Sequence, residues 1–277
     1  MNYDVADENI YGVIKKEKYI VGYVAAIDVL GFTGYICEND GNYHKARNMM
    51  NLIAANKRMY ENNFDHIRFT ICSDTIFVTI EVNDELKFDY AFFQSIVTKI
   101  GLIRSIILNE VGLMSRAGIT FGKYAISSEG SNVIFGPAII RAVRLAEHID
   151  EFEGINADYS ERPAAIIIDN LFTKYPDEEI DNEFLNGGTK NYIEENYCFE
   201  HIGYGFYVYN PFFEDYEDHK TRNNLCDEEY RISDYWAYYV DKCKKQLAFI
   251  KETHPEKVTN EERLFNHFLE RKKKDLS

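Results

Sequence analysis

A long, almost wholly apolar stretch near the N-terminus constrains the fold more than any other feature of the sequence. It runs from Tyr19 to Leu30 (YIVGYVAAIDVL), is rich in β-branched residues and leads into a glycine-bearing turn, Gly31 to Gly34. A run of this kind is typical of a central β-strand that is buried on both faces. Its one acidic residue, Asp28, lies at the end of the strand, where a lone buried carboxylate needs a cation or hydrogen-bond donors nearby.

The patterns that follow predict alternating helices and strands. Helices are predicted over 43–62, 88–109 and 137–147, and further strands over 66–72, 75–82, 114–121 (ended by Gly122), 164–168 and 204–209. The strands 66–72 and 75–82 form a predicted hairpin, although Ser73-Asp74 is not a favoured tight-turn pair. This order predicts an α+β protein with a ferredoxin-like βαββαβ core.

The sequence changes character after about Asn210. The ranges 230–251 and 259–274 are predicted to be amphipathic helices, and the second opens with the capping-box pattern Thr259-Asn260-Glu261-Glu262. We therefore expect an N-terminal segment over 1–18, a catalytic domain over 19–212 and a helical C-terminal extension over 213–277.

Charge and cysteine content exclude several classes of function. The 46 acidic and 31 basic residues give a net charge of −15, which disfavours nucleic-acid binding but allows a small phosphorylated substrate. The N-terminus carries charges where a signal peptide would be apolar, and no apolar run is expected to approach the ~18 residues of a membrane span. The five cysteines form no CxxC pair. We expect a cytoplasmic protein with no membrane partner.

Two acidic residues carry the candidate chemistry. In a βαββ core the first strand lies beside the hairpin, so Asp28 and Asp74 are expected to face each other and share divalent metal ions that prefer oxygen ligands. The turn after Asp28 presents backbone N–H groups, which suit phosphate oxygens. Each residue also has a purely structural alternative, because Asp74 can serve as a turn residue and Asp28 as a helix cap.

Four segments, spread over about residues 20–210, resemble motifs of the class III nucleotidyl cyclases, the family of adenylate and guanylate cyclases. Asp28 to Thr33 (DVLGFT) is similar to the family's D-I-x-G-F-T segment, and Ser73-Asp74 resembles its Gly-Asp hairpin. Arg116 to Gly122 (RAGITFG) resembles R-x-G-I-x-x-G, and Gly136 to Leu145 (GPAIIRAVRL) resembles G-x-x-V-N-x-A-x-R-L. The motifs follow the family's order.

The resemblance implies a two-metal cyclase. Asp28 and Asp74, with the Val29 carbonyl, would hold two Mg²⁺ or Mn²⁺ ions, and the backbone of Leu30, Gly31, Phe32 and Thr33 would bind the triphosphate. Arg144 would stabilise charge on the α-phosphate in the transition state. In this family the metal aspartates of one subunit face the arginine of the other, so a homodimer with sites at its interface is expected.

Departures from the family's motifs bear on the substrate. The transition-state asparagine is replaced by Ile140. The two positions that read a purine base in adenylate and guanylate cyclases are Thr70 and Val133 here, so neither adenine nor guanine recognition is supported. Arg141, next to the missing asparagine, is a further candidate for phosphate contact. His201 lies near the family's phosphate-binding lysine, but a structural role at a strand end is favoured for it.

This pattern is most similar to the pyrimidine cyclases of Pycsar antiphage systems, which make cyclic UMP or cyclic CMP as a second messenger. The resemblance implies UTP, or CTP, as substrate. Three alternatives stay open. One is a degenerate homologue that only binds nucleotide or a protein, another is a purine cyclase, and the third is a diguanylate cyclase. The last has little support because Cys72 to Thr75 replaces its G-G-D/E-E-F signature.

Overall fold

The computed structural model describes most of the chain between residues 20 and 210. The described ranges are 20–38, 40–63, 66–82, 90–126, 133–153, 155, 166–174, 188–195 and 198–210, with scattered residues between 240 and 270. The predicted N-terminal segment, 1–18, lies outside the described residues.

Between residues 20 and 210, the described part of the chain contains eight strands and six α-helices. The strands are β1 (Ile20–Val29), β2 (Ile67–Cys72), β3 (Thr75–Glu81), β4 (Ser115–Ile126), β5 (Ile134–Phe135), β6 (Ile166–Ile168), β7 (Phe199–Gly203) and β8 (Phe206–Tyr209). The helices are α1 (Phe32–Glu38), α2 (Asp40–Asn63), α3 (Tyr90–Val111), α4 (Pro137–Glu147), α5 (Leu171–Lys174) and α6 (Thr189–Glu195).

The sheet has the predicted α+β topology. Its strand order is β2-β3-β1-β4-β6-β8-β7, with β5 paired to β4. The first four strands, β2-β3-β1-β4, are joined antiparallel and connected by helices as in a βαββαβ core. Strand β1 is central, as its apolar sequence predicts, and Tyr23 to Ile27 are almost fully buried. The α+β prediction is therefore confirmed.

Helices cover both faces of this sheet. The main core contains residues of α2 and α3 packed on one face, including Met49, Ile53 and Ile100. On the other face, Ala138, Ile139 and Ala142 of α4 share a buried cluster with Val24 and Ala26 of β1. Val24, Ala26 and Asp28 are each two residues apart along β1, so their side chains point to the same face of the sheet. The side chain of Asp28 therefore lies on the face that α4 covers.

Three local predictions differ from the structure. Gly122 does not end the fourth strand, because it pairs with Gly22 of β1 and β4 continues to Ile126. The turn predicted over 31–34 is shorter than expected, since α1 begins at Phe32. The last predicted strand begins at Phe206, and Tyr204 lies in the turn that joins it to β7 with a positive φ of 42°.

Helix α3 is long and apolar enough to cross a membrane by length and composition alone. Its buried residues, including Phe93, Ile96 and Ile103, belong to the main core between the sheet and its neighbours. This packing is that of a core helix.

The predicted C-terminal helices lie largely outside the described residues. The described residues within them, between 240 and 270, are almost all helical. Cys243, Leu247 and Phe265 are buried in one cluster with Leu145 of α4 and strand residues such as Ile167. The extension therefore contributes side chains to the core on the α4 side of the sheet.

Candidate active site

Strand register brings the two predicted metal-binding aspartates to neighbouring positions. Asp28, near the end of β1, lies directly opposite Thr75 of β3. Asp74 precedes Thr75 in the hairpin turn, and its carbonyl accepts a hydrogen bond from the N–H of Val29 at 3.3 Å. The side chain of Asp28 is 14% exposed. The two acidic residues and Val29 thus lie together at one end of the sheet.

The turn that carries Asp74 has an unusual backbone. Cys72 pairs with Thr75, which leaves Ser73 and Asp74 as a two-residue hairpin loop. Ser73 has a φ of 58°, a conformation in which the Cβ of a non-glycine residue is strained. This geometry explains why Ser-Asp is a poor turn pair, and it places the strain next to the carboxylate.

The oxygens of Asp28 and Asp74 are of the chemical type that a divalent metal ion such as Mg²⁺ prefers. Mg²⁺ is commonly bound through one or two carboxylates together with substrate phosphates and water, and Asp28 and Asp74 with nearby carbonyl oxygens provide that donor set. The described residues contain no group of three or more His, Cys, Asp and Glu side chains that could hold a metal ion. A metal here would therefore depend on oxygens supplied by the substrate.

An arginine that the sequence motifs gave no role completes this end of the sheet. Arg116 of β4 lies directly opposite Asp28 in the register, and its Nε donates to Asp28 Oδ2 at 2.7 Å. Its side chain is 12% exposed. Arg116 belongs to the R-x-G-I motif, but its contact with Asp28 becomes visible only when the two strands, which are distant in sequence, are paired.

Some backbone groups of the loop after Asp28 already make hydrogen bonds within the fold. The N–H of Leu30 donates to the carbonyl of Met114 at 2.9 Å, so this predicted phosphate donor has a partner. Gly31 has a φ of 73°, and its carbonyl accepts from the N–H of Tyr35 in the first turn of α1. The N–H groups of Phe32 and Thr33 lie in that first turn, where helix geometry leaves donors without intrahelical acceptors.

Thr70 lies on the same face of the sheet as Asp28. It pairs with Phe77 of β3, which pairs with Ala26 of β1, two residues before Asp28. Directly paired side chains share a face, and residues two apart on a strand share it too. Thr70 is 6% exposed, so this predicted base-reading position is buried in the structure.

Helix α4 presents its predicted catalytic positions outward. Ile140 and Arg144 are four residues apart, so they lie on one side of the helix, and Ile140 is 63% exposed. Arg144 is held by Glu151, whose Oε2 accepts from its Nε at 2.9 Å, and it lies over the ring of Phe152. About half of each charged side chain is exposed, so the pair is weak.

A glycine sets the distance between α4 and the sheet. A Cβ added to Gly118 of β4 would lie 2.4 Å from the carbonyl oxygen of Ala142 and 2.5 Å from the Cβ of Leu145. The helix that carries Arg144 therefore packs against bare backbone. This close approach is the physical reason for the glycine in R-x-G-I.

Arg141 is engaged in a buried network. Its guanidinium makes two hydrogen bonds to the carboxylate of Asp169, one of them 2.7 Å long, and Asp169 is fully buried. The hydroxyl of Thr120 donates to the same carboxylate. The bond to Asp169 raises the pKa of Arg141. Arg141 as a phosphate ligand stays a prediction, and this ion pair opposes it.

Sequence reasoning missed Asp169 and Glu151, and it identified Arg116 only as part of a motif, without its contact to Asp28. His201 was expected to be structural, and in the structure its Nε2 accepts from the N–H of Gly205 in the β7–β8 hairpin while its ring contacts Tyr207. The Asp169 network gave no local signal, because it joins β4, α4 and the end of β6.

Comparison with known proteins gives fold-level likeness only. No protein-family model matches the sequence, and no curated protein matches it either. Several solved structures do resemble it. The adenylyl cyclase CyaB from P. aeruginosa is 16% identical over 55% of this chain and 78% of its own, with a TM-score of 0.39.

The other similar structures include guanylyl cyclase domains. The dimeric domain of the RhoGC fusion protein from Blastocladiella emersonii is 10% identical over 69% of this chain and 94% of its own, with a TM-score of 0.44. The domain of RhGC from Catenaria anguillulae, in complex with GTP, is 13% identical over 60% of this chain and 85% of its own, with a TM-score of 0.40. At this level of likeness, what those proteins bind or make is not transferred to this chain.

Proposed function

We propose that this protein is a class III nucleotidyl cyclase that converts UTP, or CTP, to the 3′,5′-cyclic nucleotide and pyrophosphate. The observation that carries the proposal is the meeting of Asp28 and Asp74 at one end of the sheet, in the order and spacing of the cyclase motifs. This placement favours a shared role for the two acidic residues over separate roles as a turn residue and a helix cap. Both belong to segments that also match the family's motifs.

Asp28, Asp74 and the carbonyl of Val29 would hold two Mg²⁺ or Mn²⁺ ions. When bound, the ions would acidify the ribose 3′-hydroxyl and neutralise the triphosphate. The N–H groups of Phe32 and Thr33, in the first turn of α1, would receive phosphate oxygens at the same end of the sheet. The chain itself thus binds and orients the triphosphate beside the carboxylates.

Arg144 would complete the site from a second subunit. It lies on the outward side of α4, together with the exposed Ile140, whereas Asp28 is enclosed by β3 and β4. An arginine on an outward surface suits a site formed between two copies, because its planar, permanently charged group can reach a partner's α-phosphate. The exposed apolar residues Val133, Phe135 and Ile140 lie on or next to α4, and they favour a contact between proteins there.

A pyrimidine is favoured because the base-reading positions lack charge. Thr70 offers one hydroxyl and Val133 offers none, so a purine edge would leave its donors and acceptors without matched partners. UTP is preferred over CTP, and the product would act as a second messenger in bacterial antiphage defence, in the cytoplasm. A neighbouring gene for a cyclic-nucleotide-binding effector would support that role.

One assay tests the reaction. The purified protein is incubated with each of the four nucleoside triphosphates and Mn²⁺, and the products are separated by chromatography. Cyclic UMP or cyclic CMP is expected. Cyclic AMP or cyclic GMP as the main product would show a purine cyclase, and pyrophosphate without a cyclic product would refute the cyclase.

The shared site is tested by mixing two inactive variants. Asp28→Ala/Asp74→Ala chains and Arg144→Ala chains are combined in equal amounts after dissociation. Half of the dimers should be mixed, and each of these has one intact site of two, so roughly a quarter of wild-type activity should return. As a control, a chain that carries all three substitutions should restore nothing to Arg144→Ala. No recovery in the first mixture would refute the shared site.

A degenerate homologue that only binds nucleotide is the second candidate. Two observations favour it: Ile140 replaces the family's asparagine, and Arg141 beside it is bound to Asp169. In that case nucleotide would bind, as measured by calorimetry, but no product would form with any of the four triphosphates.

A further inference from the structure

The ion pair between Arg116 and Asp28 is well enclosed on both sides. The two side chains are 12% and 14% exposed, whereas those of Arg144 and Glu151 are 49% and 46% exposed. An enclosed pair is screened little by solvent and salt, so its charges interact strongly. The ion pair therefore affects how strongly Asp28 can bind another cation.

The strand register explains why the pair forms. Asp28 lies between Thr75 on β3 and Arg116 on β4, and Arg116 is the residue directly opposite it that carries a charge. A carboxylate this enclosed needs a cation or hydrogen-bond donors beside it. Arg116 supplies both, through its positive charge and its Nε–H group.

The same contact sets a competition. The Nε of Arg116 occupies Oδ2 of Asp28 at 2.7 Å. A divalent ion bonded to this carboxylate would lie close to a guanidinium of like charge, in surroundings that screen the repulsion poorly. Binding the metal ion and keeping the ion pair therefore oppose each other.

We propose that Arg116 is the resident counter-ion of Asp28, which a divalent metal ion displaces on binding, so that Arg116 sets the metal concentration that the site requires. This inference rests on the proposed function, in which Asp28 is a metal ligand. Arg116 acts through Asp28 and is a positioning residue in this role.

The first test measures Mn²⁺ binding without nucleotide, by the electron paramagnetic resonance signal of free Mn²⁺. Arg116→Gln should bind Mn²⁺ about 3- to 30-fold more tightly than wild type, since one positive charge is gone. It should unfold at a lower temperature without metal and gain more from added Mn²⁺ than wild type does. Weaker or unchanged Mn²⁺ binding by Arg116→Gln would overturn the inference.

Arg68→Gln is the matched control. Arg68 is an exposed residue of β2 opposite Thr79, on the same face of the sheet, so the variant removes the same charge away from Asp28. Its Mn²⁺ affinity and its melting temperature should stay close to those of wild type. An equal gain in Mn²⁺ affinity in Arg68→Gln would show that the gain comes from the change in net charge, and it would refute a specific role for Arg116.

A second measurement uses only the wild-type protein, so it does not depend on whether a variant folds. The Nε–H of Arg116 in the wild-type protein is followed by nuclear magnetic resonance while Mg²⁺ is added. Displacement predicts that its exchange with water becomes faster as Mg²⁺ binds. Unchanged exchange at Mg²⁺ concentrations that shift the Val29 and Gly31 amides would overturn the displacement.

The two tests separate this inference from the proposed function. If neither wild type nor Arg116→Gln binds Mn²⁺, and Mg²⁺ shifts no amide near Asp28, the metal site itself is refuted. If Mn²⁺ binds to wild type, is lost in Asp28→Asn and is not strengthened in Arg116→Gln, the metal site stands and the role of Arg116 is refuted.

Discussion

The two halves of the candidate site are built in different ways. The carboxylate half, Asp28 and Asp74, lies between paired strands and is fixed by register. The arginine half, on α4, faces outward and is held by a weak contact to Glu151. The first half is fixed by strand pairing within one chain, whereas the second lies on an exposed helix surface. This difference supports the proposal that a second copy of the chain completes the site.

Replacing Asp28 should have the largest effect. Asp28→Asn removes the proposed metal ligand and nearly keeps the shape of the side chain, so cyclase activity should fall by at least about 100-fold. It also leaves Arg116 facing a neutral acceptor, and the free energy of unfolding should fall by about 1–3 kcal/mol. Product formation and urea denaturation measure the two effects. Asp28→Asn with wild-type activity would contradict the assignment of the metal ligand.

Replacing Arg144 should lower activity strongly and change stability little. Arg144→Ala should lower kcat by about 100- to 1,000-fold, because charge on the α-phosphate loses its stabilising group. Its side chain is half-exposed, so the free energy of unfolding should change by less than about 0.5 kcal/mol. Glu151→Gln, which frees Arg144 without removing it, is the control and should keep activity. A large loss of stability in Arg144→Ala would show a structural role.

Gly118→Ala tests the link between the two halves. The new Cβ would clash with the carbonyl of Ala142, so α4 must move away from β4. Such overpacking should cost about 1–3 kcal/mol in the free energy of unfolding and lower activity by displacing Arg144. Gly34→Ala is the control, because nothing lies within 4 Å of its added Cβ and the residue is helical. Equal effects of the two variants would refute the tight contact.

Ser73→Gly should have the smallest effect. Glycine adopts the positive φ of this turn without strain, so the free energy of unfolding should rise by about 1 kcal/mol. Ser73→Ala keeps the strained Cβ and should give no gain. Thermal or urea denaturation of the three proteins decides this, and equal stability of all three would contradict strain at Ser73.

Patterns local in sequence predicted most of the described fold. The apolar run of β1, the hairpin β2–β3 and the helix over 137–147 were correct because periodicity and glycine or proline boundaries are encoded nearby. Gly122 was misread as a stop, because its tolerance in a strand depends on pairing with Gly22 across the sheet. Strand β7 was missed, since its residues Phe199–Gly203 alternate weakly.

The candidate site was predicted only in part. The positions of Asp28 and Asp74 followed from a family motif and a topology, both readable in sequence. Their neighbours did not, because Arg116 meets Asp28 through strands 88 residues apart and Arg141 meets Asp169 through a helix and a strand end. Long-range partners of this kind carry no periodic signal.

The buried cluster shared by Cys243, Leu247 and Phe265 bears on how the protein can be shortened. Leu145 and Ile149, at the end of the helix that carries Arg144, belong to this cluster together with Ile202, Phe206 and Val208. Truncation of the chain at residue 212 would expose these side chains to solvent and create an apolar surface patch beside α4. A fragment ending there should therefore aggregate, and experiments on this protein are best begun with all 277 residues.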